Sequence, residues 1–185
     1  FLERQPELLR AKVFNTNEIS GYLQYRLGSE LPLYMDGRCH LYPERLYAEY
    51  LFLAYARPTD ASRVMDVMDR RGIELALYDW PRPDESSAYA LAASPEWLPV
   101  YWDSITVVYG RKSFLERTGF VARAFSVVDP LDQQPLLQVP YYLLPDRWLD
   151  ELQRAASSPM DYQPAILPAA ALLLSRGEIL EPPCQ

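Results

Sequence analysis

Histidine, cysteine and glycine are all scarce in this chain of 185 residues, and each scarcity removes a class of function. His40 is the only histidine, and the two cysteines, Cys39 and Cys184, lie far apart with neither CxxC nor Cys/His spacing. A structural zinc ion needs four ligands, so no metal is expected. Both thiols are read as free, with a Cys39–Cys184 disulfide as the open alternative. The seven glycines form neither GxGxxG nor GxxxxGK[ST], so no backbone cradle for dinucleotide or ATP phosphates is expected. HExxH and GxSxG are missing as well, and no cofactor is expected. Basic residues are outnumbered 18 to 25, giving a net charge of -7. A nucleic-acid partner would need a basic stripe to displace counterions, and none is present. No apolar run approaches the roughly 18–20 residues that span a bilayer, Ala165–Leu174 being short and broken by Pro168. The chain opens on Phe1 with no signal peptide, which is expected of a piece cut from a longer protein.

What remains is a globular composition, 49% hydrophobic and 23% charged, large enough to bury a core without disulfides. Ala11–Phe14 reads as a short strand ending at Asn15. Thr16 or Asn17 can cap a helix with Ile19, Tyr22, Leu23 and Leu27 on its apolar face, stopped by Gly28. Leu31–Met35 reads as a second, buried strand. After Pro43, residues Leu46, Tyr47, Tyr50, Leu51 and Ala54 make a helical stripe. A third helix starts at Thr59 or Asp60, buries Val64, Val67 and Met68, and ends at Gly72. Ile73–Tyr78 is a strand and Ser87–Ala93 a short helix. Leu98–Trp102 and Thr106–Tyr109 suit an antiparallel hairpin. The expectation is an α/β fold with a three-layer, mostly parallel sheet flanked by helices and closed by that hairpin.

From Ser113 the style changes, because this part holds 9 of the 17 prolines. Proline every few residues opposes long helices and central strands alike. The expected division is an α/β domain over 1–112 and a proline-rich, mainly helical extension over 113–185. That extension would hold helices over Phe114–Phe125, from Asp146 through Ala155, and over Pro164–Ser175. The last two resemble one unit of a helical repeat.

LPLYMDGR is the most suggestive stretch, since ligands in open α/β sheets gather at the carboxyl ends of strands. Arg38 could grip a phosphate or carboxylate there, oriented by Asp36. The structural alternative has Asp36 accepting turn amides while Arg38 pairs with a neighbouring carboxylate, and it is the default. His40 lacks an evident orienting partner and reads as a polar loop residue. Cys39 and His40 would point to opposite faces of an extended backbone, which opposes a dyad. Asp79, Asp84, Glu85 and Asp103 could furnish a carboxylate pair, or simply a solvated loop. Tyr22, Tyr25, Tyr34, Tyr42, Tyr47, Tyr50 and Tyr55 suit core edges and interfaces first, and sugar stacking second.

VFN, SGYLQYRL, LPLYMDGR with Tyr42, and EWLPVYWDSITVVYGR together resemble the soluble region that follows the membrane helices in bacterial proteins related to glycosyltransferase family 39. The resemblance extends to dolichyl-phosphate-mannose mannosyltransferases, to which those proteins are also related. The positions that carry the likeness are Phe14, Asn15, Gly21, Tyr22, Leu23, Asp36, Gly37, Arg38, Trp97, Tyr101, Asp103 and Arg111, with Ser20 where the pattern often has glycine. The likeness covers residues 11 to 112. It implies a non-catalytic accessory domain on the extracytoplasmic, periplasmic face of a polytopic membrane protein. Its partners would be the membrane-embedded part of the same polypeptide and a glycan or lipid-linked sugar, met at Asn15, Asp36, Arg38 and His40. No catalytic residue of the transfer reaction is expected here. Two rival expectations are a protein-interaction module using 113–185 and a small enzyme built on Asp36, Arg38 and His40.

Overall fold

The computed structural model describes residues 1–80, 86–131 and 146–156. Within them a four-stranded sheet runs in the order β1-β2-β4-β3. Its strands are β1 (Val13–Asn15), β2 (Leu75–Asp79), β3 (Trp97–Trp102) and β4 (Thr106–Arg111). β1 lies parallel to β2, whereas β2 with β4 and β3 with β4 are antiparallel. The sheet is therefore mixed, and the expected mostly parallel arrangement is corrected. The reason lies in the connections: β1 and β2 are joined through helices, which parallel pairing requires, and β3 turns directly into β4.

Six helices accompany the sheet among the described residues: α1 (Asn17–Leu27), α2 (Glu44–Tyr55), α3 (Ala61–Arg71), α4 (Ala88–Ala92), α5 (Lys112–Thr118) and α6 (Asp146–Ala156). α3 follows its sequence pattern, with Val64, Val67 and Met68 buried and Gly72 closing the helix in the left-handed region at φ 63°. α2 is rotated from its expected stripe. Tyr50, Leu53 and Ala54 face inward, while Tyr47 and Leu51 are exposed. α5 is shorter than the helix expected over Phe114–Phe125. Gly119 at φ 73° ends it, and a 3-10 turn over Phe120–Arg123 follows.

Strand side chains alternate between two separate clusters, as period-two geometry demands. Phe14, Ala76, Tyr78, Val107 and Tyr109 join one with α2, α3, α4 and the Leu152 and Ala155 positions of α6. Val13, Leu75, Leu77 and Val108 join the other with Ile19, Leu23 and Leu27 of α1 and Phe114 and Leu115 of α5. In β3 the alternation slips at a register shift between Pro99 and Tyr101, so that Val100 and Tyr101 share one cluster before Trp102 returns to the first. Among the described residues, those on both sides of position 112 feed both clusters. Pro135, Pro140, Pro145, the Pro164–Ser175 segment, Asp84, Glu85 and Cys184 lie outside the described residues.

The second correction concerns residues 31–35, which form no strand. Leu31 and Met35 are buried as expected, but Asn15 replaces the backbone ladder. The Tyr34 N–H donates to Asn15 Oδ1 at 2.9 Å, and Asn15 Nδ2 donates to the Met35 carbonyl at 2.8 Å. One side chain thus satisfies two backbone groups of this stretch, and Pro32 brings no N–H that a ladder could use.

Candidate functional site

The two parallel strands deliver Asn15 and Asp79 to one end of the sheet, but Asn15 is fully buried and faces no opening. Its amide also donates to the Thr16 carbonyl at 3.1 Å, which fills the donors of the group. Thr16 occupies the N-cap position of α1, as expected, but its side chain makes no capping bond. Its Oγ1 accepts the Asp79 N–H at 2.8 Å, tying the two strand ends together. The α1 N-terminus is served from elsewhere, because the Asn17 N–H donates to Tyr50 Oη at 2.8 Å.

Asp36 and Arg38 are bonded to each other. The Arg38 amide donates to Asp36 Oδ1 at 2.9 Å, and the guanidinium reaches Oδ2 through Nε at 3.1 Å and Nη2 at 2.5 Å. Asp36 is only 6% exposed, whereas the Arg38 side chain is 63% exposed. The Arg38 guanidinium and amide hold the Asp36 carboxyl at about 2, well below the ordinary carboxylate range. His40 sits exposed on a 3-10 turn over Cys39–Leu41, and Cys39, a free thiol, packs its half-buried side chain against the first cluster. Of the four expected ligand contacts, Asp36 and Arg38 are joined to each other. Asn15 is spent one step away on Tyr34 and Met35, and no bond draws His40 into the group.

The downstream motif behaves in the same way. Tyr101 Oη donates to Asp103 Oδ2 at 2.8 Å, and the Ile105 and Thr106 amides both donate to Asp103 Oδ1 at 2.8 Å, closing the β3–β4 turn. Arg111 stacks 5.0 Å from the Trp97 ring centre, pairs with Asp69 at 2.6 Å and donates Nε to the Ile73 carbonyl. Among the described residues, no group of three or more His, Cys, Asp or Glu side chains could hold a metal ion.

Sequence reasoning did not anticipate the opening beside α1. A cavity of about 150 Å³ lies between α1 and the β3–β4 turn, floored by Leu77 and Val108 and rimmed by Tyr22, Arg26, Tyr101 and Asp103. Arg26 is held by Glu3 through two bonds of 2.6 and 2.7 Å and sits 6.0 Å from the Tyr22 ring centre. Phe1 stacks on one face of Tyr101 at 4.5 Å, while Tyr22 remains 64% exposed. Burial, then the Asp103 carboxylate, pushes the Tyr101 phenol above its ordinary range, so it stays a neutral donor. Tyr22 and Tyr101 are distant in sequence, and only the register of the sheet brings them together. Chemically the rim offers the exposed face of Tyr22 beside a carboxylate and a guanidinium that are already paired within the chain, a mixed aromatic and polar edge that a polyhydroxylated ring can meet. No family model, no curated protein and no solved structure matches this chain.

Proposed function

We propose that this chain is a non-catalytic accessory domain of a polytopic glycosyltransferase-like membrane protein, placed on its extracytoplasmic, periplasmic side, where it helps bind a glycan or lipid-linked sugar. Within that reading the fold is three-layered and the β3–β4 pair is its closing hairpin, which the alternation of strand residues between two clusters supports. The carrying observation is that Asn15, Asp36, Arg38, Tyr101, Asp103 and Arg111, singled out by the family likeness, all end in internal ties. A reaction centre keeps its acid, base or nucleophile free for substrate, whereas a binding scaffold can spend such groups on bracing. The interaction-module alternative rests on 113–185, most of which lies outside the described residues.

Sugar contact falls to the cavity rimmed by Tyr22, Arg26, Tyr101 and Asp103. No helix among the described residues is long and apolar enough to cross a membrane, so anchoring is assigned to other parts of the parent protein. Two experiments test the reading. The full gene product is expected to carry hydrophobic spans ahead of Phe1, and a product without them sinks the membrane assignment. NMR titration with mannose oligosaccharides is expected to shift amides of α1 and of 101–106. Tyr22→Ala is expected to weaken that response about tenfold without lowering Tm. Absent or unlocalised shifts overturn the glycan assignment.

A further inference from the structure

The chain is acidic overall, yet one cleft gathers cations. It measures about 520 Å³ and is lined by Arg10, Lys12, Glu30, Tyr34, Arg71 and Ile73, among others. It lies beside Val13, where β1 begins, away from the end of the strand that carries Asn15. Arg71 is committed: Glu49 accepts from Arg71 Nε at 2.6 Å, from Arg70 Nη2 at 2.9 Å and from Tyr34 Oη at 2.5 Å. That carboxylate is shared by two guanidinium groups, so it leaves positive charge over.

Arg10 and Lys12 are different. Both are exposed, and neither side chain has an acidic partner among the described residues. The Lys12 side chain lies over Gly72, where a Cβ would stand 3.8 Å from its Nζ. The ammonium therefore lies beside the α3 stop at Gly72, and Arg71 lines the same cleft. Glu74, the nearest acid by sequence pairing, is already taken by the Lys12 backbone N–H and by Arg117. Glu30 is the one carboxylate among the residues that line the cleft, against Arg10, Lys12 and Arg71.

We propose that this cleft binds a phosphate group, gripped by Arg10 and Lys12 with Arg71 behind them. Phosphate fits better than carboxylate because cations brought from different segments can each meet a separate oxygen, and a dianion offsets more of the excess charge. The group can belong to a small soluble molecule or to a lipid headgroup, and both present the same oxygens. The inference does not depend on the sugar cavity, which lies on other residues.

The test uses the whole chain at low ionic strength, titrated with inorganic pyrophosphate and followed by amide chemical shifts. A parallel arm sediments the protein with phosphatidylcholine vesicles, with and without phosphatidylglycerol. Saturable shifts at residues 10–12 and 71–73, weakened by salt, are expected with pyrophosphate if the source is soluble. Capture by the anionic vesicles alone marks a headgroup. The Arg10→Ala/Lys12→Ala double variant removes no internal tie and is expected to keep the wild-type Tm while binding about tenfold more weakly. Absence of binding in both arms overturns the proposal. So does undiminished binding by the double variant, or shifts confined to other residues. Should the variant lose its fold, the location of the wild-type shifts still decides.

Discussion

Two irregular stretches of this protein are each pinned by one buried polar side chain, and they use opposite chemistry. Residues 34–35 are held by Asn15, a neutral amide that donates and accepts. Residues 126–128 are held by Glu151 of α6, which only accepts. Its carboxylate takes the Ser126, Val127 and Val128 amides at 2.8, 2.9 and 3.3 Å, and the Ser126 hydroxyl at 2.6 Å. The difference follows from what each stretch presents. The first offers one N–H and one carbonyl, so only a group with both polarities satisfies it. The second offers successive N–H groups pointing inward, a nest that suits an anion. A helix far along the chain is thus locked on by charge, whereas a neighbouring segment is held by complementarity.

The sharpest way to break this contrast is to give the first clamp the chemistry of the second. Asn15→Asp keeps the shape but sets a carboxylate against the Met35 and Thr16 carbonyls with no donor between them. A loss of about 3–4 kcal/mol is expected in urea unfolding. An unchanged midpoint would show that the Asn15 bonds contribute little. The reverse exchange, Glu151→Gln, removes the charge and turns an N–H2 toward donors. About 2 kcal/mol is expected, concentrated locally: amide exchange should accelerate in α6 and 126–128 before it does in the sheet. Uniform acceleration would mean that α6 is not a separate unit of stability.

Asp36 gives the smallest effect and the one that depends on acid. Its folded pKa of about 2 lies below the ordinary value of 3.8, so its contribution is present above pH 4 and fades as pH falls from about 4 toward 2. Because Arg38 is largely exposed, that contribution is discounted to below about 1 kcal/mol. Tm differences between wild type and Asp36→Asn should be visible at pH 6 and vanish near pH 2. A constant difference across that range would remove the ion pair from the explanation.

Much of the architecture could be read directly. The α3 pattern, the stops at Gly28 and Gly72, and the paired β-rich runs around Asp103 all carry local signals, because periodicity and turn chemistry act over a few residues. Where partners are remote, the reading fails for identifiable reasons. Leu31–Met35 has the composition of a strand, and nothing local reveals that Asn15 will occupy its hydrogen bonds. α2 is apolar on more than one face, so its helical period alone left the inward side undetermined and Leu53 unnoticed. Asp36 accepts its turn amide from Arg38 and pairs with the guanidinium of that same residue, a local tie that the spacing of two residues makes legible. Glu151 gives no sign at all, since its four donors belong to a loop with no helical or strand pattern. The cavity beside α1 and the cationic cleft are similarly invisible, because each joins residues from separate segments.

The phenol of Tyr50 carries a consequence for how the molecule comes apart. It belongs to α2 and packs in one cluster, yet it supplies the acceptor for the first turn of α1, which packs in the other. Pulling α2 away therefore removes the acceptor at the first turn of α1, which packs in the other cluster. The two clusters should melt as a single event, with no intermediate in which one survives alone.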